Sequence, residues 1–213
     1  MWKLIDTHGI FHLEPLEGDG SWYWGSDCTH GDLYEAGELY QDHHALHGSR
    51  LVLVHDPDGR VIEPVAPKPG RFFGRPISCG GHIQILLVDF PESQIRIVQY
   101  EEAADLAVPV VSLPLTAVTD CYNLMLHASP LTLSRQESGG TIQILWPERA
   151  EFDIGETEHF FARRGDKLYF CRWHEDPEYR EEVVVRAFPS GEETEVIPGA
   201  WMKMPDGRVW ILQ

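Results

Sequence analysis

Residues Gly80–Leu86 read GGHIQIL, and residues Gly139–Leu145 read GGTIQIL, the same phrase with one change. Within His82–Phe90, HIQILLVDF, the apolar residues Ile83, Ile85 and Leu87 recur at every second position. That period places them on one face of a β-strand. The echo keeps the pattern with Ile142 and Ile144. A pair of glycines before each strand supplies a tight turn, because glycine adopts positive φ without steric cost. The phrase therefore predicts a turn and the strand that follows it. Ile83, Ile85, Ile142 and Ile144 are predicted in the core, with Gln84 and Gln143 on the opposite faces.

A second phrase also repeats. PDGRV stands at Pro57–Val61 and again at Pro205–Val209, each time between apolar stretches. Proline presets φ, aspartate bonds nearby backbone and glycine takes the left-handed position, so each copy predicts a hairpin turn. RRGDKLYF turns in the same way at Gly165 and Asp166. Short strand-like runs fill the rest: RFFGRPI, QIRIVQY, VPVVSL, YNLMLHA, EVVVRAF, ETEVIP and AWMKM. The strand–helix alternation of a parallel α/β sheet is absent.

One segment has a different period. In GDLYEAGELYQDHHALHG, residues 31–48, Leu33, Ala36, Leu39, Tyr40 and His43 fall at helical spacing. Asp32 reads as the N-cap, Glu35 completes a capping box, and Gly48 reads as the end. A short helix is thus predicted over residues 32–47, and a second, shorter helix is a weaker reading of YEEAADLA (100–107).

The turn residues Gly80-Gly81, Gly139-Gly140, Gly165-Asp166, Asp58-Gly59 and Asp206-Gly207 recur along the chain. In this the chain resembles a β-propeller, whose blades are four-stranded antiparallel meanders. Gly165 and Gly207 lie 42 residues apart, a blade length, whereas Gly81 and Gly140 lie 59 apart. The resemblance implies an all-β fold of blade-like meanders, a propeller or part of one, with a β-sandwich as the alternative. Residues 1–213 are predicted as a single all-β domain, with an irregular aromatic and helical segment at 1–48 and repeats over 49–213. An architecture brings no function with it.

Composition narrows the partners. Acidic residues number 34 against 17 basic, for a formal charge of −17. Such a surface repels phosphate backbones and anionic lipid, so neither nucleic acid nor membrane is an expected partner. Cys28, Cys79, Cys121 and Cys171 form no C-x-x-C pair, which argues against a four-cysteine zinc site. No secretory leader or apolar span is read from the sequence, and a cytoplasmic protein with reduced thiols is expected.

Two stretches could carry chemistry. SWYWGSD, residues 21–27, sets Trp22 and Trp24 on one face if extended, and Asp27, Asp32 and Glu35 lie nearby in sequence. Indoles stack on sugar faces and paired carboxylates serve as acid and base, so these five residues are the candidate ligand site, for a carbohydrate. The competing reading is that the two indoles anchor a long loop or helix onto the sheets. DHHALH, residues 42–47, places His43 and His47 at i and i+4, the spacing with which a helix presents two imidazoles to a metal. A glutamate base is missing between them, and upstream Asp27, Cys28 and His30 are the nearest further ligands. No metal or other cofactor is expected. No nucleophile elbow, phosphate loop or dinucleotide fingerprint is present. The sequence thus favours a non-catalytic binding or scaffold protein over an enzyme. Its expected partner is another protein or a second copy of itself, as a homodimer, and a carbohydrate-binding or carbohydrate-active protein is the alternative.

Overall fold

The structure, a computed structural model, describes residues 2–27, 31–137, 140–204 and 208–213. Cys28, His30, Gly139 and the second Pro-Asp-Gly turn at Pro205–Gly207 lie outside the described residues. The chain forms two compact units, Met1–Cys121 and Tyr122–Gln213. It is all-β, with one α-helix and one 3₁₀ turn among the described residues. No described helix is long and apolar enough to cross a membrane.

In the first unit, strands β1 (Glu14–Pro15) and β2 (Trp22–Ser26) precede helix α1 (Leu33–Gln41). Strands β3 (Leu51–His55) and β4 (Val61–Ile62) follow, and the four strands pair in the order β1-β2-β3-β4. The aromatic segment expected to be irregular thus supplies half of the first sheet. Its Trp-Tyr-Trp alternation has the period of a strand, and the helix is an insertion between the second and third strands. A second sheet holds β5 (Arg71–Phe73), β6 (Ile77–Cys79), β7 (His82–Asp89), β8 (Gln94–Glu101) and β9 (Leu106–Pro114). β5 and β6 both pair with β7, as one edge strand interrupted at residues 74–76. YEEAADLA is no helix. Ala104 donates to the Glu101 carbonyl at 3.1 Å and Asp105 takes a left-handed φ of 49°, which closes the β8–β9 hairpin, while Tyr100 donates to Asp105 at 2.7 Å.

The second unit repeats the plan. Strands β10 (Met125–His127), β11 (Thr132–Gln136), β12 (Thr141–Trp146) and β13 (Ala150–Asp153) form one meander. β14 (Glu158–Arg164), β15 (Lys167–His174), β16 (Arg180–Ala187) and β17 (Glu193–Pro198) form the next. Strands β18 (Ala200–Lys203) and β19 (Val209–Leu212) make a separate two-stranded sheet. In all four larger sheets the strands pair in sequence order, the order of a propeller blade and not of the Greek keys found in most sandwiches. The propeller-like resemblance therefore holds at the level of the blade.

The repeated Gly-Gly phrase does mark strands, but not equivalent ones. GGHIQIL runs into β7, the second strand of its sheet, whereas TIQIL lies in β12, the third of its own. Likewise Gly165-Asp166 joins a first strand to a second, whereas Asp58-Gly59 joins a third to a fourth. What repeats is the turn device, since any hairpin accepts it. Gly80 and Gly81 have φ of 63° and 79°, the two positive values that a two-residue type I′ hairpin demands.

The apolar faces close each unit's core. In the first unit Leu16, Trp22, Leu51 and Leu53 pack against Phe73, Ile83, Ile85, Leu87, Val98 and Tyr100, joining the two sheets. In the second, Ile142, Ile144 and Ile154 pack against Phe160, Leu168, Phe170 and Val184. The four predicted isoleucines are all buried. Gln84 points to the opposite face as predicted, yet it is buried too, and it donates to its cross-strand partner Gln99 at 2.8 Å. The central strand β7 is covered on both faces. Gln143 instead reaches Glu151 across the sheet at 2.9 Å and stays half-exposed.

Charges brace the fourth sheet. Glu158 is fully buried and accepts two hydrogen bonds from Arg186, each at 3.0 Å, and one from Arg172 at 3.2 Å. Arg172 also binds Glu182 at 2.9 Å and Glu193 at 3.1 Å, so the network spans all four strands. Truncating Ile85, fully buried at the centre of β7, to alanine should cost about 2–5 kcal/mol in urea denaturation. Tyr179→Ala, at a residue 67% exposed, should stay within about 0.5 kcal/mol of the wild type.

Candidate functional site

The predicted ligand-site residues fall in three environments. Trp22 and Trp24 do share a face of β2, but that face is the inner one. Trp22 is 4% exposed and belongs to the first unit's core. Its ring meets His55 at 4.7 Å and Tyr100 at 6.5 Å, with the Arg60 guanidinium 5.4 Å from its centroid. Trp24 is half-buried against the same core, and its Nε1 is buried without a hydrogen-bond partner among the described residues. Trp22 offers no stacking wall, because its ring is buried against His55, Tyr100 and Arg60. The outward aromatic of this strand is Tyr23.

The carboxylates are engaged as well. Asp32 caps α1, accepting from the backbone N–H groups of Tyr34 at 2.8 Å and Glu35 at 2.9 Å, and Glu35 accepts from the Asp32 N–H at 2.9 Å. This is the capping box read from the sequence, and it occupies both side chains. Asp27 follows β2, where its N–H donates to the Arg50 carbonyl at 3.0 Å. The five residues do not converge on a sugar-binding surface.

The histidines also depart from the prediction. The helix ends at Gln41, not near Gly48. His43 stands just beyond it at φ 60°; its N–H donates to the Tyr40 carbonyl at 3.1 Å, and the His44 N–H donates to Leu39 at 2.8 Å. That pair of bonds is a Schellman motif, with His43 in the left-handed position glycine usually fills. His43 and His47 therefore do not sit one turn apart on a helix. Among the described residues no group of three or more His, Cys, Asp or Glu is placed to hold a metal.

Other groups resemble catalytic parts but are closed off. His127 Nε2 lies 2.8 Å from Ser134 Oγ, the contact of a nucleophile and its base. Both residues are buried, and the imidazole packs on Phe160 at 4.4 Å. Burial, helped by the nearby Lys203 charge, pushes the His127 pKa down to about 3 against an opposing hydrogen bond to the Phe161 backbone. The pair is a neutral cross-strand link between two buried side chains. Burial, followed by the charge of Glu181, pushes the Cys171 thiol up, away from a reactive thiolate.

Each unit carries a cleft among the described residues. In the first, a cavity of about 200 Å³ separates α1 from the segment after β9, lined by Tyr40, Phe90, Leu115, Val118 and Cys121. In the second, turns of the third and fourth sheets border a cleft of about 400 Å³ beside Glu148, Arg149, Asp166 and Phe188. At its edge Arg163 lies 3.8 Å over the Phe188 ring and donates from Nε to the Gly165 carbonyl at 3.0 Å. Neither cleft gathers a set of groups with a definite chemistry.

The exposed surface of the β18–β19 sheet is more distinctive. Its register sets Ala200 opposite Leu212 and Met202 opposite Trp210. These four share one face, and Met202, Trp210 and Leu212 are 45%, 48% and 49% exposed. The other face holds Trp201, stacked on Phe161 at 4.3 Å with the rings 3° from parallel, beside Ile211. The hairpin is thus anchored on one side and apolar on its open side. Sequence reading identified its strands but not this face. The alternation in AWMKM and RVWILQ across the Pro-Asp-Gly turn carries that signal.

No protein-family model matches the chain, and no curated protein matches it either.

Two outcomes follow from these geometries. His43→Gly should raise stability by up to about 1 kcal/mol, since glycine relieves the left-handed backbone; a metal-ligand role would give a loss that added zinc changes. For His127, the unfolded state binds more protons than the folded state at any pH between about 3 and the ordinary 6.5. Stability should therefore fall as pH drops below 6.5. Urea midpoints compared at pH 7 and pH 5 should show this fall in the wild type and a smaller one in His127→Gln.

Proposed function

We propose that this protein is a non-catalytic binding or scaffold protein that works through protein–protein contact or self-association. The observation that carries the reading is the open apolar face of the β18–β19 hairpin, formed by Ala200, Met202, Trp210 and Leu212. Scattered apolar residues on a surface are ordinary, but a contiguous set on one rigid face marks an interaction site. Tryptophan and methionine are enriched in the cores of such interfaces, where a central aromatic anchor carries much of the binding energy. Trp210 holds that place here. Anchoring of Trp201 on Phe161 keeps the face ordered before a partner arrives, which lowers the entropic cost of binding. A cytoplasmic setting accords with Cys79 and Cys171 standing as unbridged thiols.

The test is photo-crosslinking in the cell. A benzophenone amino acid in place of Trp210 should give discrete adducts, whereas the same group in place of the exposed Tyr179 should give none. If the two positions label alike, or if Trp210 labels nothing, the hairpin face is not an interaction surface.

A further inference from the structure

The geometry points to a specific partner for that face. We propose that β19 pairs antiparallel with β19 of a second copy about a two-fold axis, joining two hairpins into one four-stranded sheet. This rests on the scaffold reading and names its partner.

The first argument is strand count. Four sheets reach four pairing positions, whereas β18–β19 stops at two. A lone two-stranded hairpin is marginal in water. Two of them joined edge to edge would match the size of the other sheets.

The second argument compares edges. An exposed edge strand is a template for pairing, and proteins blunt it with charge, proline or short length. β1 and β4 are two residues each, and β10 is three. The β5–β6 edge is broken at residues 74–76. β9 contains Pro109 and Pro114, and β13 contains Glu151 and Asp153. β14 carries Glu158, Arg163 and Arg164, and β17 carries Glu193, Glu195 and Pro198. β18 carries Lys203. β19 reads Val-Trp-Ile-Leu, with neither charge nor proline, and it pairs only with β18 among the described residues.

The third argument fixes the register. The Met204 N–H donates to the Arg208 carbonyl at 2.7 Å. In an antiparallel ladder hydrogen-bonded pairs alternate, so Arg208, Trp210 and Leu212 direct their backbone groups toward β18. Val209, Ile211 and Gln213 direct theirs outward. A two-fold axis through Ile211 sets its N–H and carbonyl against those of the partner's Ile211. Val209 then faces the partner's Gln213, and Trp210 faces the partner's Leu212. Opposed residues lie on one face of a sheet, so each Trp210 packs on a Leu212 at a close, non-hydrogen-bonded position. Because the axis is perpendicular to the sheet, the two apolar faces join into one. The interface is self-complementary and closed, so it ends at a dimer.

Charge is compatible with this site and opposes others. Residues 198–213 hold Lys203 and Arg208 against Asp206, within a chain of formal charge −17. Two such chains repel, and they repel least where they meet through this segment. So short an edge buries well under the about 800 Å² per partner of a standard interface. The dimer is therefore weak, and salt strengthens it by screening the repulsion.

Sedimentation equilibrium on the full chain tests the pairing. The wild type should approach twice the mass of one chain by about 100 μM, a range that captures weak interfaces, with tighter association at higher salt. Ile211→Pro removes the outward N–H and no donor to β18, so the hairpin keeps its ladder while the dimer is lost. Leu212→Glu, on the open face, should abolish the dimer by charge without touching the ladder. Circular dichroism should match the wild type for both. Hydrogen exchange at the Ile211 amide should slow with rising protein concentration. A wild type that stays monomeric throughout overturns self-pairing, while Trp210 crosslinks to a different protein would leave the scaffold reading standing. A dimer that survives both substitutions overturns the β19 edge as its site. Absence of both dimer and Trp210 crosslinks removes the scaffold reading itself.

Discussion

A four-stranded meander with one apolar face cannot stand alone; that face must find another. This constraint organises both units. Ile83, Ile85 and Leu87 on one sheet meet Trp22, Leu51 and Leu53 on the next, and Ile142 and Ile144 meet Phe160 and Phe170 in the same way. Burial of this kind is non-directional, so it fixes which faces meet and leaves the turns free to vary. The position of Trp22 is a consequence. An indole on the inner face of β2 contributes area to the core, and nothing remains of it for a ligand.

The same constraint makes the β18–β19 hairpin the exception. One of its faces is satisfied by Trp201 on Phe161. The other carries four apolar side chains, of which Met202, Trp210 and Leu212 are about half exposed. The other edges carry charge, proline or very short strands, so an unblunted edge beside an open apolar face in one short sheet is informative. Self-pairing would repair the edge directly and the face in part, through the Trp210–Leu212 contacts.

Much of this was legible in the sequence, and the failures have physical causes. Period-two alternation located the core isoleucines, because a buried strand face admits little else. The capping box at Asp32 and Glu35 located the start of α1, because those side chains satisfy backbone donors that no other group reaches. The end of the helix was misplaced because its stop is a histidine in a glycine's conformation, and no residue preference announces that. The repeated phrases promised equivalent blade positions and gave none: a Gly-Gly or Asp-Gly turn encodes a reversal of direction and not a place in a sheet. Trp22 and Trp24 were correctly set on one face, but alternation alone cannot say whether that face looks in or out. The open face of the last hairpin was hidden for the same reason.

The charge network of the fourth sheet has an effect on which sequence changes the protein can absorb. Arg172 has three carboxylate partners, Glu158, Glu182 and Glu193, and two of them lie toward the sheet surface. Loss of Glu182 or Glu193 leaves the guanidinium with others to bind. Glu158 is harder to replace, because it holds Arg186 through two bonds and Arg172 through a third from a fully buried position. Without it, Arg172 keeps Glu182 and Glu193, whereas Arg186 keeps, among the described residues, only Glu193 at 3.8 Å as a carboxylate partner and the Gly191 carbonyl at 2.8 Å. Drift in this sheet is therefore cheap at its rim and costly at its one buried glutamate.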